Sequence, residues 1–408
     1  MGPITLFDKS FLQSLSLDES VWFDNFYLTN IAPLFYVETL ADLEKITRKG
    51  RTPDQEVRII ADKTPERNSA PNVFHQNMVI SNLLGYKIPM NSQIVMRGGR
   101  YVETADKNAT IFDLPPEREA FERWQKCEFL DVERLFAKTW RSFLKLSNLK
   151  LFQPIFTTAN VLPKCHSLGE AKLTAESIIE FKGNQQNLIP LIFELLYIPK
   201  KLMPKIHDRW EAEQLPLKKF APYVAHVLTI EIFFYIAINS GLVSKNINSK
   251  TDFGYLFYLP FCMIFVSSDN LHRRCAPLFL RKDQEFIWGP NLKTDLNKID
   301  IFFDSLPDSE KEKGLYTIAT YPPNDNGFLT TRLWDRFLPK WRDNKSAKPV
   351  AKDKATEKKI VDDIIKLADG KTISSDKINF DTENTNAMIL KKKVMKKKGK
   401  WWQLPKDL

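Results

Sequence analysis

Acidic residues adjoin short apolar runs at two widely separated places in this chain. Asp8 closes the run Ile4–Phe7, and Asp269 closes the run formed by residues 262–268. Short runs of this kind are typical of buried parallel strands, whose C-terminal ends converge where open α/β sheets place their sites. Several carboxylates gathered there repel one another unless a hard cation such as Mg²⁺ or Mn²⁺ neutralises them. The pattern predicts a metal-dependent phosphodiesterase.

Three further acids extend this candidate set. Glu38 and Asp42 follow the apolar run 33–37, and Asp252 stands near the start of the run 251–256. Because Glu38 and Asp42 are four residues apart, on a helix they would share one face, with Cβ atoms about 5–6 Å apart. Either could bind a metal ion, directly or through water. Taken alone, Glu38 and Asp252 are equally compatible with ordinary acids in the first turn of a helix.

Composition sets the outer limits of the interpretation. The chain has 408 residues, 43% of them hydrophobic, with 29 phenylalanines, which is enough for two or three domains with sizeable cores. The net charge of +10 favours an acidic partner. The four cysteines show no CxxC pairing, so we expect free thiols in a reducing compartment and no zinc site.

No export or membrane segment is expected from the sequence. The chain passes directly from Met1 into an apolar run and then the charged pair Asp8-Lys9. The longest apolar stretches, 227–238 and 255–266, are shorter than the roughly 20 residues that span a bilayer. We therefore expect a cytoplasmic protein with no membrane association.

The hydrophobic periodicity predicts an α/β fold divided into four parts. Residues 1–64 alternate strand and helix, with strands at Ile4–Phe7 and 34–37 and a helix over 38–49. Residues 65–245 form a mostly α-helical insert domain, after which 246–340 resume the α/β pattern with a strand over 262–267 and a helix from Asn270. Residues 341–408 are rich in lysine and predict a flexible tail. The expected core is a three-layer domain around a central parallel sheet.

The segments around these acids resemble the PIN-like nucleases across about a quarter of the chain. The stretch 7–12 is similar to that family's first strand and the small polar residue and apolar helix that follow it. The stretch 39–45 resembles the helix that carries the second acid. Asp252 and Asp269, 17 residues apart, match the acid on a later helix and the final Ser/Thr-x-Asp, here Ser267-Ser268-Asp269. Two features depart from the pattern: the second acid is Asp42 rather than Glu, and a large insert splits the domain.

The resemblance implies a metal-dependent endonuclease. Asp8, either Asp42 or Glu38, Asp252 and Asp269 would hold one or two Mg²⁺ or Mn²⁺ ions. Ser267 would orient a carboxylate or a metal-bound water through its hydroxyl group. Most relatives of this kind cut RNA, so the resemblance favours RNA over DNA as substrate. A toxin or antiviral defence nuclease would suit such a domain with a large insert, although no residue selects that role.

Two basic segments are candidates for contact with nucleic acid. His272, Arg273 and Arg274 follow Asp269 at an expected helix start, where they could reach a scissile phosphate. Near the C-terminus, seven of the ten residues over 391–400 are lysine, and two tryptophans follow them. Lysines bind phosphates and indoles stack on bases. From this tail we select Lys396, Lys397, Lys398 and Trp401.

Two other functions compete with the nuclease. The first is a non-catalytic PIN-like protein that binds nucleic acid or serves as a scaffold, with the insert recruiting a partner protein or a second copy of the chain. The second is a phosphatase-type hydrolase with Asp8 as nucleophile. That class typically has a second aspartate two residues downstream, and Ser10 stands there instead. The complete acid set favours the nuclease over the non-catalytic protein, and Ser10 argues against the phosphatase.

Overall fold

The computed structural model of the chain describes most of its length. The described residues are 2–45, 50–96, 99–103, 108–113, 115–146, 163–181, 183, 185–244, 247–346, 362, 365–366, 371–373 and 387–407.

A parallel sheet of five strands forms the centre of the molecule. The strands are β1 (Ile4–Phe7), β2 (Leu28–Ile31), β3 (Ser69–Pro71), β6 (Ile264–Ser267) and β7 (Glu285–Trp288), in the spatial order β3-β2-β1-β6-β7. Thr5 is in register with Thr29 on one side and with Ile264 on the other. The two halves of the α/β pattern thus meet at the β1–β6 pair, which confirms the predicted α/β fold with a central parallel sheet.

Helices fill most of the remaining described chain. Those before the second half of the sheet are α1 (Lys9–Ser14), α2 (Leu17–Phe26), α3 (Pro33–Leu40), α4 (Pro53–Lys63), α5 (His75–Leu83), α6 (Pro116–Trp124), α7 (Asp131–Leu146), α8 (Leu168–Glu180), α9 (Gln185–Leu195), α10 (Met203–Glu213), α11 (Leu217–Phe220), α12 (Pro222–Asn239) and α13 (Ile247–Phe253). The helices that follow β6 are α14 (Asn270–Cys275), α15 (Gly289–Asp304), α16 (Asp308–Lys311), α17 (Leu315–Ile318), α18 (Leu329–Phe337) and α19 (Trp341–Ser346). Short 3-10 helices occupy Ala41–Glu44, Lys200–Leu202, Gly254–Phe261 and Ala276–Leu278.

The sheet buries a hydrophobic cluster on each of its faces. Phe7 and Val266 belong to the cluster formed with α1, α2, α4, α15 and α18. Leu6 and Phe265, the neighbouring residues, belong to the cluster formed with α5 and α8–α12. Because successive side chains of a strand point to opposite faces, this alternation places helices on both sides of the sheet. The result is a three-layer α/β arrangement.

A second sheet joins the middle of the chain to its C-terminal part. Its strands are β4 (Arg100–Glu103), β5 (Asn108–Phe112), β8 (Lys371–Ile373) and β9 (Ala387–Leu390), in the order β8-β4-β5-β9. Beyond it, β10 (Lys397–Lys398) and β11 (Trp401–Trp402) form an antiparallel hairpin. The expectation of a flexible tail over 341–408 is therefore wrong for residues 387–407. Residues 347–361 and 374–386 of that tail lie outside the described part of the chain.

The predicted second strand at 34–37 is wrong. These residues lie in α3, because Pro33 occupies the first turn of a helix, where its missing N–H and fixed φ are favourable. The strand is instead Leu28–Ile31. The helix predicted over 38–49 ends earlier, since a 3-10 helix covers Ala41–Glu44 and residues 46–49 lie outside the described part.

The boundary predicted between residues 64 and 65 cuts through the central sheet. Strand β3 (Ser69–Pro71) pairs in parallel with β2, so the residues assigned to the insert begin inside the α/β domain. Among described residues, one helix, α12, is long and apolar enough to cross a membrane. It belongs to the hydrophobic core, with 72% of its apolar window buried inside the protein.

Candidate active site

Asp8 is the first residue after β1 and caps the helix that follows. Its Oδ1 accepts a hydrogen bond from the Phe11 amide at 2.9 Å, and its Oδ2 accepts one from the Ser10 hydroxyl at 2.6 Å. The side chain is buried. Burial alone would raise the pKa of Asp8, but the hydrogen bond and charge of His272, with the Ser10 and Phe11 donors, hold it below its usual range. Asp8 is thus an ionised carboxylate at the C-terminal edge of the sheet.

Asp269 leaves the same edge on the neighbouring strand. Its carboxylate caps α14, accepting a hydrogen bond from the Leu271 amide at 2.6 Å. Ser267, the last residue of β6, links the two acids: its hydroxyl donates to Asp8 Oδ2 at 2.8 Å and accepts from the Asp269 amide at 2.9 Å. Ser267 is fully buried. Ser267 therefore connects the C-terminal ends of β1 and β6.

Glu38 and Asp42 have different surroundings. The Tyr255 hydroxyl donates a hydrogen bond to Glu38 Oε2. Burial raises the pKa of Glu38, and the charge of Asp8 adds to this, whereas Lys9 opposes it. Asp42 is 1% exposed, and its Oδ2 lies 2.7 Å from Lys9 Nζ in an ion pair. Glu38 therefore belongs to the acid cluster, while the carboxylate of Asp42 is neutralised beside it.

Asp252 completes the cluster from the last turn of α13. Burial raises the pKa of the Asp252 carboxyl to about 7. The carboxylates of Glu38, Asp269 and Asp8 push the pKa in the same direction because like charges repel, and the charge of His272 opposes them. Asp8 after β1, Glu38 on α3 and Asp269 after β6 therefore lie near enough to Asp252 for their charges to affect it.

His272 is buried, which argues against the contact with a scissile phosphate that we predicted. Its side chain is 1% exposed, and both ring nitrogens face partners. Nε2 lies 2.8 Å from the Asp252 carbonyl oxygen, and Nδ1 lies 2.8 Å from Ser267 Oγ and 3.4 Å from Asp8 Oδ2. Burial would lower the pKa of His272, but Asp8 and Asp252 raise it to about 9. The raised pKa favours the protonated imidazole, which lies buried against Asp8, Ser267 and the Asp252 backbone.

The two arginines that follow are exposed, as a phosphate contact would require. The Arg273 guanidinium lies over the Trp288 ring, 4.9 Å from its centroid. Arg274 donates to the Leu242 carbonyl at 3.0 Å. Their contact with nucleic acid stays a prediction.

The C-terminal candidates divide into two pairs. Lys396 and Lys397 are exposed, and their contact with nucleic acid stays a prediction. Lys398 and Trp401 are buried. The Lys398 ammonium donates to the Thr64 carbonyl at 2.9 Å. The prediction that Trp401 stacks on a base is wrong for this arrangement, because its ring is enclosed and its N–H donates to Asp300 at 2.8 Å.

The acid cluster fits a divalent cation in the type and charge of its donors. Carboxylate oxygens are the ligands that Mg²⁺ and Mn²⁺ prefer, and a cation would relieve the repulsion that raises the pKa of Asp252. Within the described part of the chain, no three His, Cys, Asp or Glu side chains already form a ready-made metal-binding group. Binding of a cation by three or more of these carboxylates would therefore require their side chains to move from the positions described here.

Comparison with models of known protein families, with curated proteins and with solved structures finds no match to this chain.

Two residues of the site were missed by the sequence analysis. Lys9 donates to the Glu38 carbonyl at 2.9 Å as well as pairing with Asp42, so it ties α1 to α3. The Tyr255 hydroxyl donates a hydrogen bond to the Glu38 carboxylate. Lys9 follows Asp8 directly, and Tyr255 lies three residues after Asp252. In the sequence, only this proximity to the predicted acids could have indicated that the two residues belong to the site.

Proposed function

We propose that this chain is a metal-dependent endonuclease of the PIN-like kind, which hydrolyses phosphodiester bonds of RNA or single-stranded DNA in the cytoplasm. One observation carries the proposal. Asp8 and Asp269 are linked through Ser267, and Asp8, Glu38 and Asp269 all lie near enough to raise the pKa of Asp252, although the four residues come from two distant parts of the chain. Burying several like charges is costly, so a fold that gathers them is best explained by a cation that they bind.

The protein's own groups have distinct parts in this proposal. The four carboxylates would hold Mg²⁺ or Mn²⁺, and Ser267 would orient Asp8 through the hydrogen bond between them. Burial and the neighbouring carboxylates raise the pKa of Asp252 to about 7 in the metal-free protein, so Asp252 would release its proton on binding the cation. The exposed guanidinium groups of Arg273 and Arg274 would attract the phosphate backbone.

A bound divalent cation would supply an activated water and stabilise negative charge on the leaving oxygen. The resemblance noted in the sequence favours RNA as the substrate, and the chain's charge of +10 supports a polyanionic partner.

The alternative is a non-catalytic PIN-like protein that binds nucleic acid or a partner. A specific observation favours it: Lys9 neutralises Asp42 and His272 contacts Asp8, so the protein already balances part of its acidic charge. A cluster neutralised internally could persist without chemistry. Metal binding and cleavage separate the two functions.

The test combines metal titration with cleavage of labelled single-stranded RNA and DNA. Wild-type protein should bind Mn²⁺ and cut at least one substrate, and EDTA should abolish cutting. Asp269→Asn and Glu38→Gln should each reduce cleavage by about 100-fold or more, because an amide keeps the shape but loses the charge that holds the cation. Asn also remains a good helix cap at position 269, so the fold should survive.

Two variants serve as controls. Asp295→Asn alters a buried aspartate on α15 that accepts hydrogen bonds from Leu329 and Thr330, so it should lower stability and leave cleavage intact. Asp42→Asn should retain most activity, because Lys9 already neutralises that carboxylate. Unchanged cleavage by Asp269→Asn would overturn the proposed site. Mn²⁺-independent binding of nucleic acid without cleavage would favour the alternative.

A further inference from the structure

His272 connects three elements that carry the acid cluster. His272 is near the middle of α14. Its ring packs edge-on against Tyr255 and Phe265, with centroid distances of 5.6 and 5.2 Å. One ring nitrogen faces the Asp252 carbonyl at the end of α13, and the other faces the end of β6 and Asp8 after β1. A single buried side chain thus reaches both chain segments that supply the acids.

The chemistry of each partner assigns the donor and the acceptor in the hydrogen bonds of His272. A carbonyl oxygen only accepts, so the proton between His272 and Asp252 belongs to Nε2. Ser267 has one hydroxyl proton, which it donates to Asp8, so Ser267 Oγ can only accept from His272 Nδ1. Both ring nitrogens therefore donate. The imidazole supports Asp8 directly and through Ser267, and anchors the backbone that carries Asp252.

We propose that His272 is a positioning residue that sets the placement of Asp8 relative to Asp252. The inference rests on the proposed metal-dependent function and goes beyond it, because the buried His272 would act through the acids rather than by contacting cation or substrate. Groups that hydrogen-bond metal ligands fix their orientation, and their removal typically weakens metal binding about 10–100-fold. Without the imidazole ring, Asp8 loses a donor, and the Asp252 carbonyl at the end of α13 loses its hydrogen bond from α14.

The chain contains a matched histidine that lacks this role. His226 on α12 is also largely enclosed, and its Nε2 contacts a carbonyl, that of Leu256, at 3.0 Å. Burial lowers the pKa of His226 to about 4. His226 therefore represents an ordinary core histidine, and its replacement reports the cost of losing a buried imidazole alone.

The first measurement needs no metal. His272→Phe keeps the ring shape and removes both donors, so amide hydrogen exchange without added metal should quicken in α13 and at the start of α1. His226→Phe should quicken exchange in α12 instead. Unchanged exchange in α13 and α1 of His272→Phe would overturn the proposal.

The second measurement is Mn²⁺ titration of the same full-length proteins. His272→Phe should bind Mn²⁺ about 10–100-fold more weakly, while His226→Phe should bind like wild type. Gln and Asn at position 272 each restore one donor, toward Asp252 and toward Ser267 respectively, and should each recover part of the affinity. Equal affinity in His272→Phe and wild type would overturn the proposal. If wild type binds no Mn²⁺, the proposed function fails, and the exchange measurement still decides whether His272 positions the two acids.

Discussion

At the scale of the residue, Asp252 shows a conflict between stability and the proposed chemistry. An ordinary aspartate ionises near pH 3.9, whereas burial and neighbouring carboxylates raise the pKa of Asp252 to about 7. The folded state therefore holds a proton that the unfolded state releases. The contribution of Asp252 to stability therefore falls as the pH rises from about 4 through 7, since the folded protein must then bear the buried charge.

We expect Asp252→Asn to stabilise the protein at pH 8, because the amide removes that charge. The gain in the free energy of unfolding should be about 1–2 kcal/mol, less than the full pKa shift implies because the side chain is partly exposed. At pH 4 the variant and wild type should be nearly equal. Urea denaturation at both pH values measures the difference. A variant no more stable than wild type at pH 8 would contradict the proposed crowding of charge.

At the scale of the element, the C-terminal hairpin is part of the core. Trp401 contacts Trp22 edge-on, with ring centroids 4.7 Å apart, and both indole N–H groups donate to Asp300 Oδ1. Lys400 donates its amide to Asp18 at 2.9 Å. The hairpin therefore fastens the C-terminal part of the chain to α2 and α15, and its Lys398 and Lys400 contribute contacts to the fold.

We expect Trp401→Ala to lower the free energy of unfolding by about 3–5 kcal/mol, because it empties a buried site and leaves Asp300 with fewer donors. Trp402→Ala should cost far less, since its ring is only partly buried and lies beneath Lys397. Deleting 391–408 should reduce stability at least as much as Trp401→Ala. Urea denaturation tests all three. A truncated chain as stable as wild type would show that the hairpin contributes little.

The elements differ in how far the sequence predicts them. Strands β1 and β6 were predicted correctly because a strand buried on both faces is nearly all apolar. Strand β2 was missed because it carries Thr29 and Asn30, and Asn30 satisfies its buried amide by donating to the Phe261 carbonyl at 2.8 Å. That partner lies 231 residues away and has no local signal.

The site shows the same division. Asp8 and Asp269 could be located from the ends of apolar runs, and they lie at those strand ends. The roles of Lys9, Tyr255 and His272 depend on contacts between elements, which no spacing in the sequence encodes. The buried position of Trp401 could not be predicted either, because the lysines around it resemble a solvent-exposed tail.

At the scale of the whole molecule, two histidines make the fold sensitive to acid. Burial lowers the pKa of both His75 and His226 to about 4, with the charge of Lys250 adding to the effect at His75. Unfolded histidine titrates near 6.5. At these two residues the unfolded state therefore binds more protons in this interval, and their contribution to stability should fall as the pH drops from about 6.5 to about 4.

Each histidine should account for about 1–3 kcal/mol of this loss. His226→Gln should be less stable than wild type at pH 7 but lose less on acidification, and the double variant with His75→Gln should lose least. His207→Gln is the control, since that side chain is 57% exposed and should leave the pH dependence unchanged. Denaturant unfolding at pH 7, 5.5 and 4.5 provides the measurement. Parallel stability curves for all variants would contradict the expectation.

The position of β1 between β2 and β6 has a consequence for how the protein is made. Asp8 and Ser267 are joined by a hydrogen bond across 259 residues of chain. At a synthesis rate of roughly 5–20 residues per second, one edge of β1 waits about 10–50 s for its partner strand to leave the ribosome. During that interval the nascent chain presents one unpaired edge of an apolar strand and only part of the acid cluster. Ribosome-bound chains ending before residue 262 should therefore require chaperones and carry no complete acidic site, so any nucleolytic activity would be withheld until the second half of the sheet is made.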